Sequence, residues 1–136
     1  MTQKQVNELA YNIVSCAIEV HKQLGPGLLE SIYEECLVEE LRLRGFEVLE
    51  QAKIPLAYKG KLLKAEFKLD LLVNDCIIVE LKAVDEIHPV HKAQLLSYLK
   101  LTGKPKGLLI NFNCSNIVSN GLVPLVTEKF ANLPLE

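Results

Sequence analysis

Asp70-Leu71-Leu72-Val73-Asn74-Asp75-Cys76-Ile77-Ile78-Val79-Glu80-Leu81-Lys82 is the stretch around which the rest of the 136-residue chain is organised. Two apolar segments flank a short polar turn, which predicts a β-hairpin. The second segment, Cys76 to Lys82, is aliphatic until it ends in Glu80-Leu81-Lys82, the pattern of a strand covered on both faces at the centre of a sheet. Side chains alternate along a strand, so Glu80 and Lys82 share one side and Leu81 takes the other. A carboxylate and an ammonium at the end of a buried strand need partners or a ligand to offset their desolvation. Asp70, on the neighbouring strand, supplies a third charged group. A plain two-residue turn at Asn74-Asp75 would set Asp70 opposite Val79 and turn it away from Glu80. A shared face requires an odd loop count or a bulge, and such an irregularity is expected at Asn74–Cys76.

Upstream of the hairpin the periodicity is helical. Thr2 and Gln5 have the spacing of a capping box, and Val6, Leu9, Ala10, Ile13, Ala17, Val20 and Leu24 form one apolar stripe. Gly25-Pro26-Gly27 breaks this helix. A second helix is expected from Leu28 to Arg44, with Leu29, Ile32, Tyr33, Cys36, Leu37 and Leu41 inward and Gly45 as its C′ residue. Placed at about 100° per residue, Glu40 falls near the middle of the apolar stripe and Glu30 at its edge, while Glu34, Glu35 and Glu39 fall mostly on the wet side. A stripe acid needs a partner: structural pairing is expected for Glu40, and for Glu30 a place in a site stays open.

Phe46 to Glu50 reads as a short strand, and Ile54–Tyr58 and Leu62–Val73 flank a hairpin turn around Gly60. Pro89 suits the first turn of a third helix, running to about Leu101 and closed by Thr102-Gly103-Lys104-Pro105. Gly107–Phe112 is another buried strand. Strand, helix and strand make a crossover unit, so Ile77–Lys82 and Leu108–Phe112 are expected to run parallel. The order α-α-β-β-β-α-β describes an α/β chain with a mixed sheet and helices on its faces, in a single domain spanning residues 1–136. Past Asn113 the pattern weakens, and Gly121–Leu125 suggests a late turn or short helix.

Composition narrows the classes further. No stretch reaches membrane-spanning length and the N-terminus has no signal-peptide core, so no membrane partner and a cytoplasmic location are expected. The four cysteines are widely spaced without a CxxC pair, as small buried hydrophobes are. A net charge of −2 excludes a global basic field, so any polyanion contact has to be local. Lys59, Lys61, Lys64 and Lys68 form the strongest basic cluster, read most simply as a solvated hairpin face.

On the third helix Gln94 and Tyr98, four apart, share a face with His91 one turn earlier. Taken in order, Asp70, then Glu80-Leu81-Lys82, then Gln94-Leu95-Leu96-Ser97-Tyr98 resembles the PD-(D/E)XK nuclease superfamily, in the branch with a RecB-type QxxxY motif. Gly27-Leu28-Leu29-Glu30-Ser31-Ile32-Tyr33 matches the GxxExxY signature that names one family within it, and the likeness extends from Gly25 to Phe112. Two positions depart from the pattern: Leu69 stands where the motif has proline, and Ser119–Pro124 lacks a basic residue found near there in relatives.

The resemblance implies a restriction-endonuclease-like core and a metal-dependent nuclease. In that reading Asp70 and Glu80 bind Mg²⁺ or Mn²⁺, with the Leu81 carbonyl as a further ligand and Glu30 approaching directly or through water. Lys82 positions or deprotonates the attacking water and offsets charge on the phosphoryl group. Gln94 and Tyr98 orient the substrate phosphate or Lys82. His88 and His91 inherit no role. The expected partner is nucleic acid, DNA in preference to RNA, and the small core suggests a homodimer. Two other readings compete: a catalytically silent binding or regulatory module on the same fold, and a purely structural salt-bridge cluster.

Overall fold

The computed structural model describes residues 1–136. Helix α1 (Gln3–Leu24) starts at the anticipated capping box: Thr2 Oγ1 accepts the Gln5 amide, and Gln5 Oε1 accepts the Thr2 amide. Helix α2 spans Glu30–Leu43. Then follow β1 (Val48–Tyr58), β2 (Lys61–Val73), β3 (Ile77–Lys82), α3 (Pro89–Thr102) and β4 (Lys106–Asn111). A π-helical turn at Ile117–Gly121 leads into β5 (Leu122–Val126) and a last short helix, α4 (Glu128–Ala131).

The five strands form one sheet in the order β1-β2-β3-β4-β5. β3 and β4 are parallel, as the crossover through α3 requires, and every other pair is antiparallel. Helices α1 and α2 cover one face around Leu71, Val73, Val79, Leu81, Ile110 and Phe112. Helix α3 covers the other, burying Leu95 and Leu99 against Leu69, Leu72, Ile78 and Leu109. β3 is thus covered on both sides, which is why its sequence reads as one aliphatic run.

Three expectations need correction. The strand signals at Phe46–Glu50 and Ile54–Tyr58 belong to one strand, β1, because pairing with the long β2 carries the chain through Gln51 and Lys53. On α2 the inward face is Tyr33, Leu37, Val38 and Leu41, while Leu29 and Ile32 point outward at 72% and 38% exposure. Tyr33, fully buried, stacks on Phe112 with ring centroids 4.7 Å apart on the inward side of the helix, and Leu29 is the N-cap, outside its turns. Finally, Leu122–Val126 is an edge strand rather than a turn or helix, with Pro124 at the sheet margin where a missing N–H is tolerated. Gly121 makes that return possible, since a Cβ there would lie 2.5 Å from the Asn111 carbonyl oxygen.

Candidate functional site

The turn between β2 and β3 contains three residues, Asn74, Asp75 and Cys76, because Val73 pairs with Ile77. Asn74 and Asp75 take left-handed backbone (φ 50° and 52°), a conformation their short polar side chains tolerate. The Asn74 amide donates to the Glu47 carbonyl, and Asn74 Oδ1 accepts the Glu47 amide, both at 2.8 Å. The odd loop count pairs Leu71 with Val79, and the next step sets Asp70 across from Glu80. The irregularity anticipated at Asn74–Cys76 is present.

At that step the ladder gives way to side chains. The Asp70 amide donates to Glu80 Oε2 at 2.7 Å, and the Leu81 amide donates to Asp70 Oδ2 at 2.9 Å. Each acid is therefore anchored by the other's strand. One oxygen of each stays open: Asp70 Oδ1 has only a 3.5 Å contact with Gln51 Nε2, and Glu80 Oε1 makes no hydrogen bond and is not sealed from solvent.

β1 and β2 both turn over here without changing register. Val48, Leu71 and Val73 face α1 and α2, yet Ala52, Ile54, Phe67 and Leu69 face α3. The turnover falls at Gln51, whose φ of 50° is rare for a residue with a Cβ. Gln51 Nε2 donates to both oxygens of Glu34, at 2.8 and 3.0 Å. Glu34 is half-buried rather than wet, and burial pushes its carboxyl up despite the hydrogen bond from Gln51. Glu34 and Gln51 are the site residues that the sequence reading missed. The i, i+4 spacing of Glu34 from Glu30 is a signal that could have found the first; nothing local marks the second.

Burial, then the charge of Asp70, pushes Glu80 up to about 8, against the Asp70 amide and the Lys82 ammonium. Glu80 is only 6% exposed. Glu30, at the first position of α2, is also raised, by burial first, with Lys82 opposing and Asp70 reinforcing. Lys82 lies among these acids but forms no ion pair within 4.0 Å, and the partner that Glu80 finds at the strand end is the Asp70 amide. Glu40, in contrast, is paired as expected, by Arg44 at 2.8 Å.

Helix α3 forms the opposite wall. His88 is its N-cap, its amide donating to His91 Nδ1 at 3.2 Å, and Pro89 occupies the first turn. The Tyr98 ring stacks on Phe67 at 4.9 Å, and its hydroxyl is raised by burial and then by the charges of Glu80 and Asp70. The charges of Glu80 and Asp70 reach Tyr98, while Gln94, one turn earlier on the same helix, is exposed and makes no side-chain hydrogen bond. Tyr33 works at a distance: its hydroxyl donates to the Gly25 carbonyl at 2.6 Å and accepts the Leu28 amide at 3.1 Å, pinning the loop that delivers Glu30. Asn111, buried at the end of β4, holds the chain beyond Lys82 by accepting the Val84 amide and donating to its carbonyl.

The donors here are carboxylate oxygens with a surplus of negative charge, a chemistry that suits a hard cation completing its shell with water. Asp70 and Glu80 offer one open oxygen each, although no three His, Cys, Asp or Glu side chains converge into a ready-made metal cluster.

A mixed sheet whose central antiparallel pair splays around two interlocked acids, with a lysine two residues beyond the second, defines a strand-end carboxylate site on an α/β scaffold. The family model of the PD-(D/E)XK nuclease superfamily matches residues 7–121, and the chain belongs to that superfamily. No curated protein and no solved structure matches it.

Proposed function

We propose that this chain is a metal-dependent nuclease of the GxxExxY branch, with a RecB-type QxxxY helix, hydrolysing phosphodiester bonds in nucleic acid and preferring DNA to RNA in the cytoplasm. The observation that carries the reading is the interlock of Asp70 with Glu80, which leaves an open oxygen on each acid beside Lys82. Asp70, Glu80 and the Leu81 carbonyl would hold Mg²⁺ or Mn²⁺, with Glu30 joining directly or through water. When bound, the ion supplies charge stabilisation for the phosphoryl oxygens and acidifies water.

The chain's own groups do the rest. Lys82, free of an ion pair, orients the attacking water and donates to the phosphoryl oxygen as negative charge builds there. Tyr98, kept neutral by burial and then by the charges of Glu80 and Asp70, donates a hydrogen bond to a phosphate oxygen. Gln94, one helical turn from Tyr98 on the same face and exposed, orients the substrate phosphate or Lys82. Glu34 and Gln51 hold Asp70 from behind. Two copies would present a longer surface to a duplex, so a homodimer belongs to this proposal.

The test is incubation of wild-type protein with single-stranded, duplex and nicked DNA plus Mn²⁺, beside Lys82→Ala. Cleavage by wild type above the Lys82→Ala level supports the reading, and equal cleavage overturns it. The second reading, a silent nucleic-acid-binding or regulatory module, is favoured by one observation: the net charge of −2 gives the chain no global basic field. Binding to DNA with no turnover in either metal would establish it.

A further inference from the structure

We propose that the hairpin from Gln51 to Lys68 is a phosphate-binding arm that holds the backbone of a nucleic acid against the acid site, an inference that rests on the nuclease reading for its substrate class. The arm leaves the core at the turnover between Gln51 and Asp70, so its base is the edge of the site itself. It offers about 20 Å of extended chain beyond that point. Phe67, stacked on Tyr98, clamps its base to α3. Beyond the base it is open, with Tyr58 at 60% and Leu62 at 68% exposure.

Its charge is opposite to that of the remainder. The arm carries five lysines against Glu66 alone, leaving ten basic and sixteen acidic residues elsewhere in the chain. A polyanion approaching the carboxylates meets repulsion that this arm offsets. Lys53 and Lys68 stand directly across the β1–β2 ladder, on the face away from Ala52, Ile54 and Phe67. Like charges in that position destabilise a sheet. The single carboxylate within reach is Glu66, 4.0 Å from Lys53 in an exposed and therefore weak pair. Lys59, Lys61, Lys64 and Lys68 make no ion pair at all. An anion lying along this face relieves a repulsion that the fold itself leaves standing.

Tyr58 pairs with Lys61 at the tip, and Lys59 Nζ lies 5.6 Å from the Tyr58 ring, so one open aromatic face sits among the cations. Between Ala52 and Lys68 there is no Arg, Asn or Gln, the side chains that read base edges bidentately. The arm is therefore suited to phosphates and to stacking, and its binding is independent of base sequence.

The experiment compares Lys82→Ala protein with the same protein carrying Lys59→Gln, Lys64→Gln and Lys68→Gln, in Mg²⁺, by fluorescence anisotropy on short labelled duplex and single-stranded DNA of two unrelated sequences across a salt series. All three lysines are exposed and unpaired, so the melting temperature should not fall; a variant that melts early is replaced by the single Lys64→Gln and Lys68→Gln proteins. Weaker binding by about tenfold or more, with a log–log salt slope shallower by about two to three, supports the arm. An unchanged affinity and slope overturns it, as does wild-type-arm protein that binds polyglutamate but not DNA. Failure of the nuclease reading looks different: arm-dependent DNA binding persists while wild type with Mn²⁺ cleaves nothing. Cleavage and binding that ignore the arm leave that reading intact and remove this one.

Discussion

Gln51 and Asp70 face each other at the one step where β1 and β2 turn over, and Gln51 meets it in left-handed backbone with its amide on Glu34 and, at 3.5 Å, on Asp70. Strained backbone in a residue with a Cβ persists where the surroundings over-determine it, and such positions gather at functional sites. Substitution separates the two contributions. Gln51→Gly relieves the φ strain but deletes the amide, so its stability in urea stays within about 1 kcal/mol of wild type. Its Mn²⁺ affinity by calorimetry falls by about tenfold, the usual cost of losing a group that orients a ligating acid. Equal affinity would make Gln51 a backbone device only.

Glu80 makes stability depend on pH in a direction opposite to that of a salt-bridged acid. Its folded carboxyl titrates near 8, against 4.5 for an unperturbed one, so between those values the folded chain holds a proton that the unfolded chain has released. Stability therefore falls as pH rises through this window, with the full penalty above pH 8 and none below 4.5. Glu80→Gln keeps the acceptor for the Asp70 amide and cannot ionise. In chelator, that variant should be more stable than wild type above pH 8 by on the order of a few kcal/mol, converging with it in acid. Denaturant melts at a series of pH values measure this, and a constant difference would refute it.

On the proposed reading divalent metal reverses the preference, since it would bind the ionised carboxyl. The apparent Mn²⁺ affinity should climb with pH up to about 8 and level off above it, with protons released on binding. Calorimetry in buffers of different ionisation enthalpy reports both. A flat profile from acid to base would place the metal away from Glu80.

Tyr33 shows that a motif residue need not touch the chemistry. Its ring is fully buried and its hydroxyl satisfies the Gly25 carbonyl and the Leu28 amide. Tyr33→Phe leaves both groups short of a partner, with an expected loss of about 1–3 kcal/mol. Activity per folded molecule should fall less than for Glu30→Gln, because the loop is loosened while the acid remains.

Gly121 is held by contact rather than by φ. Gly121→Ala sets a methyl 2.5 Å from the Asn111 carbonyl oxygen and 2.9 Å from Cys114 Sγ. The π-turn or the end of β4 must shift, at an expected cost of about 1–3 kcal/mol in chemical denaturation. Asn111 also anchors Val84, so on the proposed nuclease reading a loss of DNA cleavage should accompany it.

The sequence by itself determined whatever depends on neighbours along the chain. Helical spacing and the Thr2–Gln5 box defined α1, and the doubly apolar run of Cys76–Leu81 marked the central strand. Parity alone showed that Asp70 and Glu80 could meet only across an odd loop, and the loop has three residues. The tertiary structure decided the rest. The turnover at Gln51 reverses which side chains of two strands face α3, and it arises from packing against helices distant in sequence, which no local period records. With Tyr33 buried against Phe112, the next residue of α2, Glu34, expected in water, reaches Gln51 behind Asp70. The C-terminal segment became β5 because β4 offered an open edge, and pairing partners, not propensity, make an edge strand. Local sequence sets which elements can form; contacts between distant elements set which side chains reach the acids.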